Sequence, residues 1–317
     1  MCPRLRQFFS ADVVATHATV RAGVPAGAAW AHRSSYTQQQ TSAPGADLAI
    51  VAADGAGGVS LRTMRWGLKL SSSKGVAAKP DYWRHYCARS ESVHTTWSRL
   101  VSGGKRCAVP ISGWYEWQAD EFKEVKSKQP FYVGGGADGA PLWAAAVYDD
   151  AVPPPPLPTF TLLTRDASSS LAWLHERQPV LLDEAGLREW LHGGGGGAHL
   201  SAVRQSAADA DALTAPLRSW PVSKAVSKVG FQGEAAASPI KLVSEKQMSI
   251  ASLFGKKPKA EAAAAASSSV VAAAAVPAGA SSAASPVRPG AKVDIASFPK
   301  RPAPSPPAAA SKKPRSG

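Results

Sequence analysis

The sequence predicts an α+β fold: one body over residues 1–243 built mainly of short strands with a few helices, followed by a disordered tail over 244–317. Three observations carry this. All ten Trp lie between Trp30 and Trp220, and all six Tyr between Tyr36 and Tyr148. The last stretch holds only Phe254 and Phe298 as aromatics and carries eleven Lys/Arg against three acids, a charge of +8 out of +13 for the 317 residues. A segment so poor in large apolar side chains cannot bury enough surface to offset the entropy of ordering it.

Taken in order, Leu48–Ala52, Arg106–Val109, Phe131–Val133, Leu142–Val147 and Thr159–Thr164 are short, apolar or β-branched, and bounded by Gly, Pro or Asp, which predicts strands. Helices are expected at Ser168–Glu176, after a serine cluster, and at Asp183–Leu191, which opens on acids and stops at a glycine run. The strands do not alternate with long helices, which argues against a doubly wound parallel sheet. Pro153–Pro156 and Gly193–Gly197 are expected as surface loops.

Composition excludes several classes. No apolar run approaches the eighteen or so residues of a membrane span, and the N-terminus lacks the apolar core of a signal peptide. Cys2, Cys87 and Cys107 are an odd number without metal-ligand spacing, so a reducing compartment, no metal and no cofactor are expected. The pI near 9.8 favours an anionic partner, and nucleic acid is the obvious one; a basic tail that only solubilises is the alternative.

The residue with distinctive chemistry is Cys2. Removal of Met1 would leave a terminal 1,2-aminothiol, which condenses with an aldehyde to a five-membered thiazolidine; the α-amine pKa of about 7.7–8 leaves a useful neutral fraction. Its company is an ordered series: Arg65-Trp66-Gly67-Leu68, Ala88-Arg89-Ser90-Glu91, Arg106-Cys107-Ala108-Val109-Pro110, Gly113-Trp114-Tyr115-Glu116-Trp117, Lys128-Gln129-Pro130-Phe131-Tyr132, Leu142-Trp143-Ala144-Ala145, Thr159-Phe160-Thr161-Leu162-Leu163-Thr164 and Leu174-His175-Glu176-Arg177-Gln178-Pro179-Val180. From Met1 to about Pro239 the chain resembles the SOS response-associated peptidase (SRAP) family, in its eukaryotic abasic-site processing branch.

The resemblance implies a single domain of mixed, mostly antiparallel β-sheets with peripheral helices. It implies capture of abasic sites in single-stranded DNA as a covalent thiazolidine on Cys2, after autocatalytic loss of Met1: a thiol peptidase with lyase-like chemistry in DNA repair. It further implies Glu116 as general acid/base, since a buried carboxylate is raised in pKa, and His175 as a proton-transfer group. Arg4 and Arg89 would hold phosphates, and Trp66, with Trp117 beside Glu116, would meet the DNA bases. Read from the residues alone, Trp66, Trp114 and Trp117 are core aromatics and His175 a packed or capping histidine.

The sequence departs from the family at three places. Pro3 replaces a glycine, removing an N–H beside the bond that must be cut. Cys87 stands where the family carries an asparagine that positions nucleophile and sugar, and a thiol is the weaker hydrogen-bonding partner. Tyr36-Thr37 replaces Tyr-Asn. A non-catalytic reader of single-stranded or modified DNA is therefore the alternative.

In the tail, Lys300-Arg301 and Lys312-Lys313-Pro314-Arg315 fit a bipartite nuclear import signal. Gln247, Ile250, Leu253 and Phe254 resemble the box that binds the PCNA sliding clamp. A monomeric nuclear protein is the expectation.

Overall fold

The computed structural model describes residues 4–70, 81–118, 128–135, 139–150, 157–193, 203 and 217–242. Cys2, Pro3, Pro153–Pro156, Gly194–Gly197 and every tail motif lie outside the described residues, as does the expected tail from 244. The chain divides into Met1–Lys256 and Lys257–Gly317.

Two sheets form the body. The first has five antiparallel strands in the order β13 (Arg218–Pro221), β8 (Pro130–Gly134), β7 (Gly113–Trp117), β1 (Arg4–Gln7) and β2 (Gln39–Ser42). The second contains β3 (Asp47–Ala53), β4 (Val59–Trp66), β6 (Arg106–Ile111), β9 (Leu142–Asp149) and β10 (Thr159–Asp166), hydrogen-bonded in the order β4-β3-β6-β9-β10 and closed by a parallel β10–β4 pairing. β5 (Cys87–Arg89) runs parallel to β10, β11 (Arg177–Pro179) antiparallel to it, and β12 (Leu181–Leu182) pairs with β9. Closure removes the edges that an open sheet would leave unpaired.

The ring is buried on both faces, which is why its strands read as nearly continuous apolar runs. Leu48, Ile50, Met64, Trp66, Val109, Ala146 and Phe160 share one core with Leu5 and Trp114 of the first sheet. The alternate residues Ala49, Val51, Ala108, Val147 and Leu163 pack beneath the helices. The two sheets are stitched by Gln7, whose Nε2 donates to the carbonyls of Ala49 and Pro110 (3.0 and 2.8 Å) while Oε1 accepts from Ala49 N–H (2.7 Å).

Helix α1 (Ala11–Ala22) escaped the sequence reading because its β-branched, weakly amphipathic run resembles neither element. It is defined by its ends, an N-cap at Ser10 and a left-handed Gly23. Helix α2 (Ser98–Ser102) is a short turn. Helix α3 (Glu184–His192) starts at the expected Asp183 cap and buries Leu187, Trp190 and Leu191. Arg106 holds its far end: the enclosed guanidinium donates to the carbonyls of Trp190, Gly193 and Val101 at 2.7, 2.7 and 3.0 Å.

The expected helix at Ser168–Glu176 is instead a series of turns. The Ser168 carbonyl accepts from Leu171 and Ala172, but the chain bends back so that Ala167 N–H reaches Glu176 O at 2.9 Å and β11 can pair with β10. Among the described residues no helix is long and apolar enough to cross a membrane.

Candidate active site

Alternation along β7 sends Trp114 and Glu116 to one side of the first sheet and Tyr115 and Trp117 to the other. Glu116, only 3 % exposed, stands opposite Phe131 of β8, and its neighbour Tyr115 stands opposite Arg4 of β1. The facing wall is the turn that replaces the expected helix. Leu171, Leu174, His175, Arg177 and Gln178 close over Trp114, Glu116 and Val133 to leave a narrow pocket of about 170 Å³ including its mouth.

His175 is set by the backbone. Arg177 N–H donates to its Nδ1 at 3.0 Å, so the neutral ring carries its proton on Nε2. Burial lowers its pKa, which favours that neutral form. Arg177 is itself clamped: it binds both oxygens of Glu91 (2.8 and 2.9 Å), one of Asp166 (2.5 Å) and the Thr164 carbonyl (2.7 Å).

Cys87 opens β5 opposite Leu162. Burial, and after it the neighbouring Glu116 charge, push its thiol far above the ordinary range, with Arg177 opposing. Cys87, Glu116 and Arg177 thus share one electrostatic neighbourhood, in which the thiol stays protonated. Cys107 is buried in the ring, and burial likewise holds its thiol protonated.

Two of the expected DNA contacts are buried. Trp66 is 0 % exposed; its indole N–H donates to Tyr86 O at 2.7 Å and its ring fills the core between the sheets. Gly67 after it holds φ +110°, and a Cβ there would fall 2.3 Å from Tyr82 O, so the turn is tight against its neighbour. Arg4 is 5 % exposed: its Nη2 lies 3.4 Å from Ser227 O and its guanidinium sits over the Trp83 ring. Trp117 is half-buried with its N–H on Ser227 Oγ at 2.9 Å. Arg89 is exposed on β5 and forms no ion pair among the described residues.

Among the described residues the tryptophans that face solvent are Trp83, 46 % exposed, and Trp173, 50 % exposed. Trp83 lies edge-on to Tyr86 and next to Arg4; Trp173 lies edge-on to Phe131, the residue opposite Glu116. Sequence reasoning missed both as surface groups, and missed Arg177 and Gln178 as pocket walls. The signal for the last two was their place in the same short motif as His175. Among the described residues no group of three His, Cys, Asp or Glu stands close enough to hold a metal.

The model of one protein family, SOS response associated peptidase (SRAP), matches residues 1–229. The chain belongs to the SRAP family. Among curated relatives, an abasic site processing protein of Saccharomyces cerevisiae is 36 % identical over 133 residues, 41 % of this chain and 34 % of that one. The abasic site processing protein HMCES of Xenopus tropicalis is 30 % identical over 154 residues (41 % and 44 %), and YedK of Escherichia coli 32 % over 136 (40 % and 54 %). The matches thus span about a third to a half of those relatives. Of the solved structures, a Bacteroides thetaiotaomicron protein superposes with a TM-score of 0.57 at 17 % identity, covering 76 % of this chain and all of that one. A phage-related protein of Bordetella bronchiseptica gives 0.52 at 21 %, covering 73 % and 99 %. Both likenesses concern the fold alone, mixed sheets with few helices.

Proposed function

We propose that this SRAP protein processes abasic sites in single-stranded DNA by cross-linking them to Cys2. The observation that carries the reading is that Glu116 and His175, from distant parts of the chain, line one pocket beside the strand on which the N-terminus enters. Two residues span at most about 7 Å, so the chain length from Arg4 keeps Cys2 within that reach of a residue paired next to Glu116. The names of the relatives point the same way.

Hydrolysis of the Met1–Cys2 bond consumes one water and frees the α-amine. The amine adds to the C1′ aldehyde of the ring-opened deoxyribose, and water leaves to give an imine. Cys2 Sγ then adds to the imine carbon while the thiol proton passes to nitrogen, closing the thiazolidine with no redox step. Glu116 moves protons at the sugar oxygen and the amine, and the His175 Nε2–H donates during ring opening. Capture by sulfur removes the imine that would otherwise promote strand cleavage. Arg89 would neutralise a flanking phosphate irrespective of sequence. The basic tail would serve nuclear import and clamp recruitment.

The test is incubation of the full chain with an abasic single strand, followed by denaturing electrophoresis and N-terminal mass analysis. A heat-stable adduct, lost in Cys2→Ala and accompanied by loss of Met1, is the expected result. A retained Met1 with no adduct overturns the reading and leaves a non-covalent DNA reader.

A further inference from the structure

One group in the pocket wall is not accounted for by these roles. Gln178 follows Arg177 on β11, opposite Arg165 of β10, and is 1 % exposed. Its Oε1 accepts from Ser168 N–H at 2.8 Å, which fixes the amide orientation: a flipped amide would set two donors against each other. Nε2 is therefore the atom left over, and among the described residues it is buried with no hydrogen-bond partner. A buried, unsatisfied amide N–H costs about 1–3 kcal/mol. The same side chain lines the pocket with Glu116 and His175.

We propose that Gln178 Nε2 is a substrate-binding donor, taking the C1′ oxygen of the ring-opened sugar. This rests on the abasic-site reading above. As the Cys2 amine adds to the aldehyde, its carbonyl oxygen gains negative charge and becomes the carbinolamine oxygen. A fixed neutral donor stabilises that oxygen without holding a proton of its own to give away, which remains the task of Glu116 and His175. The pocket is narrow, so a small polar group such as the C1′ oxygen of a ring-opened sugar suits the donor. The Ser168 contact keeps the amide from swinging away, so the donor is in place before substrate arrives.

The experiment uses the full chain as wild type, Cys2→Ala, Gln178→Met and Gln178→Glu. Cross-linking rates are read at saturating abasic single strand. Strand affinity is read separately with a tetrahydrofuran analogue, which has no aldehyde. Both Gln178 variants are expected to cross-link about 100- to 1,000-fold more slowly while the analogue Kd stays within about twofold. Gln178→Glu retains an acceptor for Ser168 N–H, so it decides the matter if Gln178→Met melts below the assay temperature. No adduct from wild type overturns the abasic-site reading and this inference with it. A normal wild-type adduct with unchanged rates in the folded variants, or a rate loss matched by weaker analogue binding, overturns the Gln178 assignment alone.

Discussion

The main-chain N–H of Arg177 donates to Nδ1 of His175 at 3.0 Å. One peptide group thereby decides which imidazole nitrogen carries the proton, and a charged ring would lose the bond. Burial lowers the His175 pKa, as it does for His17 and His85. An unfolded histidine titrates near about 6.5, so below that pH the unfolded chain binds more protons than the folded one. Stability is then fully present above pH 6.5 and falls as pH drops through the lower folded values. Thermal melts should decline from pH 7 to 5, and His175→Gln should flatten part of that decline while slowing cross-linking about 10- to 100-fold.

Arg106 is a buried cation whose guanidinium is satisfied by three main-chain carbonyls, two of them at the end of α3. Arg106→Met leaves those carbonyls without their donors and should lower unfolding free energy by about 3 kcal/mol, read by urea titration. Arg177→Met should cost less, about 1–2 kcal/mol, because Glu91 and Asp166 are themselves solvent-exposed.

The two tryptophan environments separate stability from binding. Trp66→Ala removes a core side chain and should destabilise by about 3–5 kcal/mol. Trp83→Ala and Trp173→Ala should leave melting nearly unchanged and weaken single-strand binding, by about 1–3 kcal/mol for each base stacked. Fluorescence anisotropy on the folded variants reads this directly.

Thiol chemistry gives a further check. Cys107 is buried and held protonated by that burial, so it should not react with a thiol reagent at pH 8 in the native protein. Mass mapping should find Cys107 labelled only after denaturation, with the half-buried Cys87 reacting more slowly than Cys2.

Local signals in the sequence reached the five expected strands and α3, because those depend on short apolar runs and on Asp183 as a cap. They could not reach the β4–β10 pairing, which joins strands distant in the chain and carries no local mark. The turn at 168–176 was misjudged because a serine cluster caps turns as readily as helices. In the site, Glu116 and His175 were legible through their motifs, but which side chains shared their pocket depended on how the turn folds over β7. Trp66 shows the same limit: a tryptophan after Arg65 can stack on a base or fill a core, and only the ring's inward alternation decides.

Cys87 on β5 and the turn bearing His175 both hang on β10, the strand whose docking on β4 closes the ring. Contacts between distant segments are the slow ones to form. A chain emerging during synthesis therefore presents its N-terminal strand long before Glu116 has an imidazole to face. On the reading proposed above, Cys2 is made first and Glu116 and His175 meet last, so the order of synthesis itself would keep the terminal thiol idle until the body has folded.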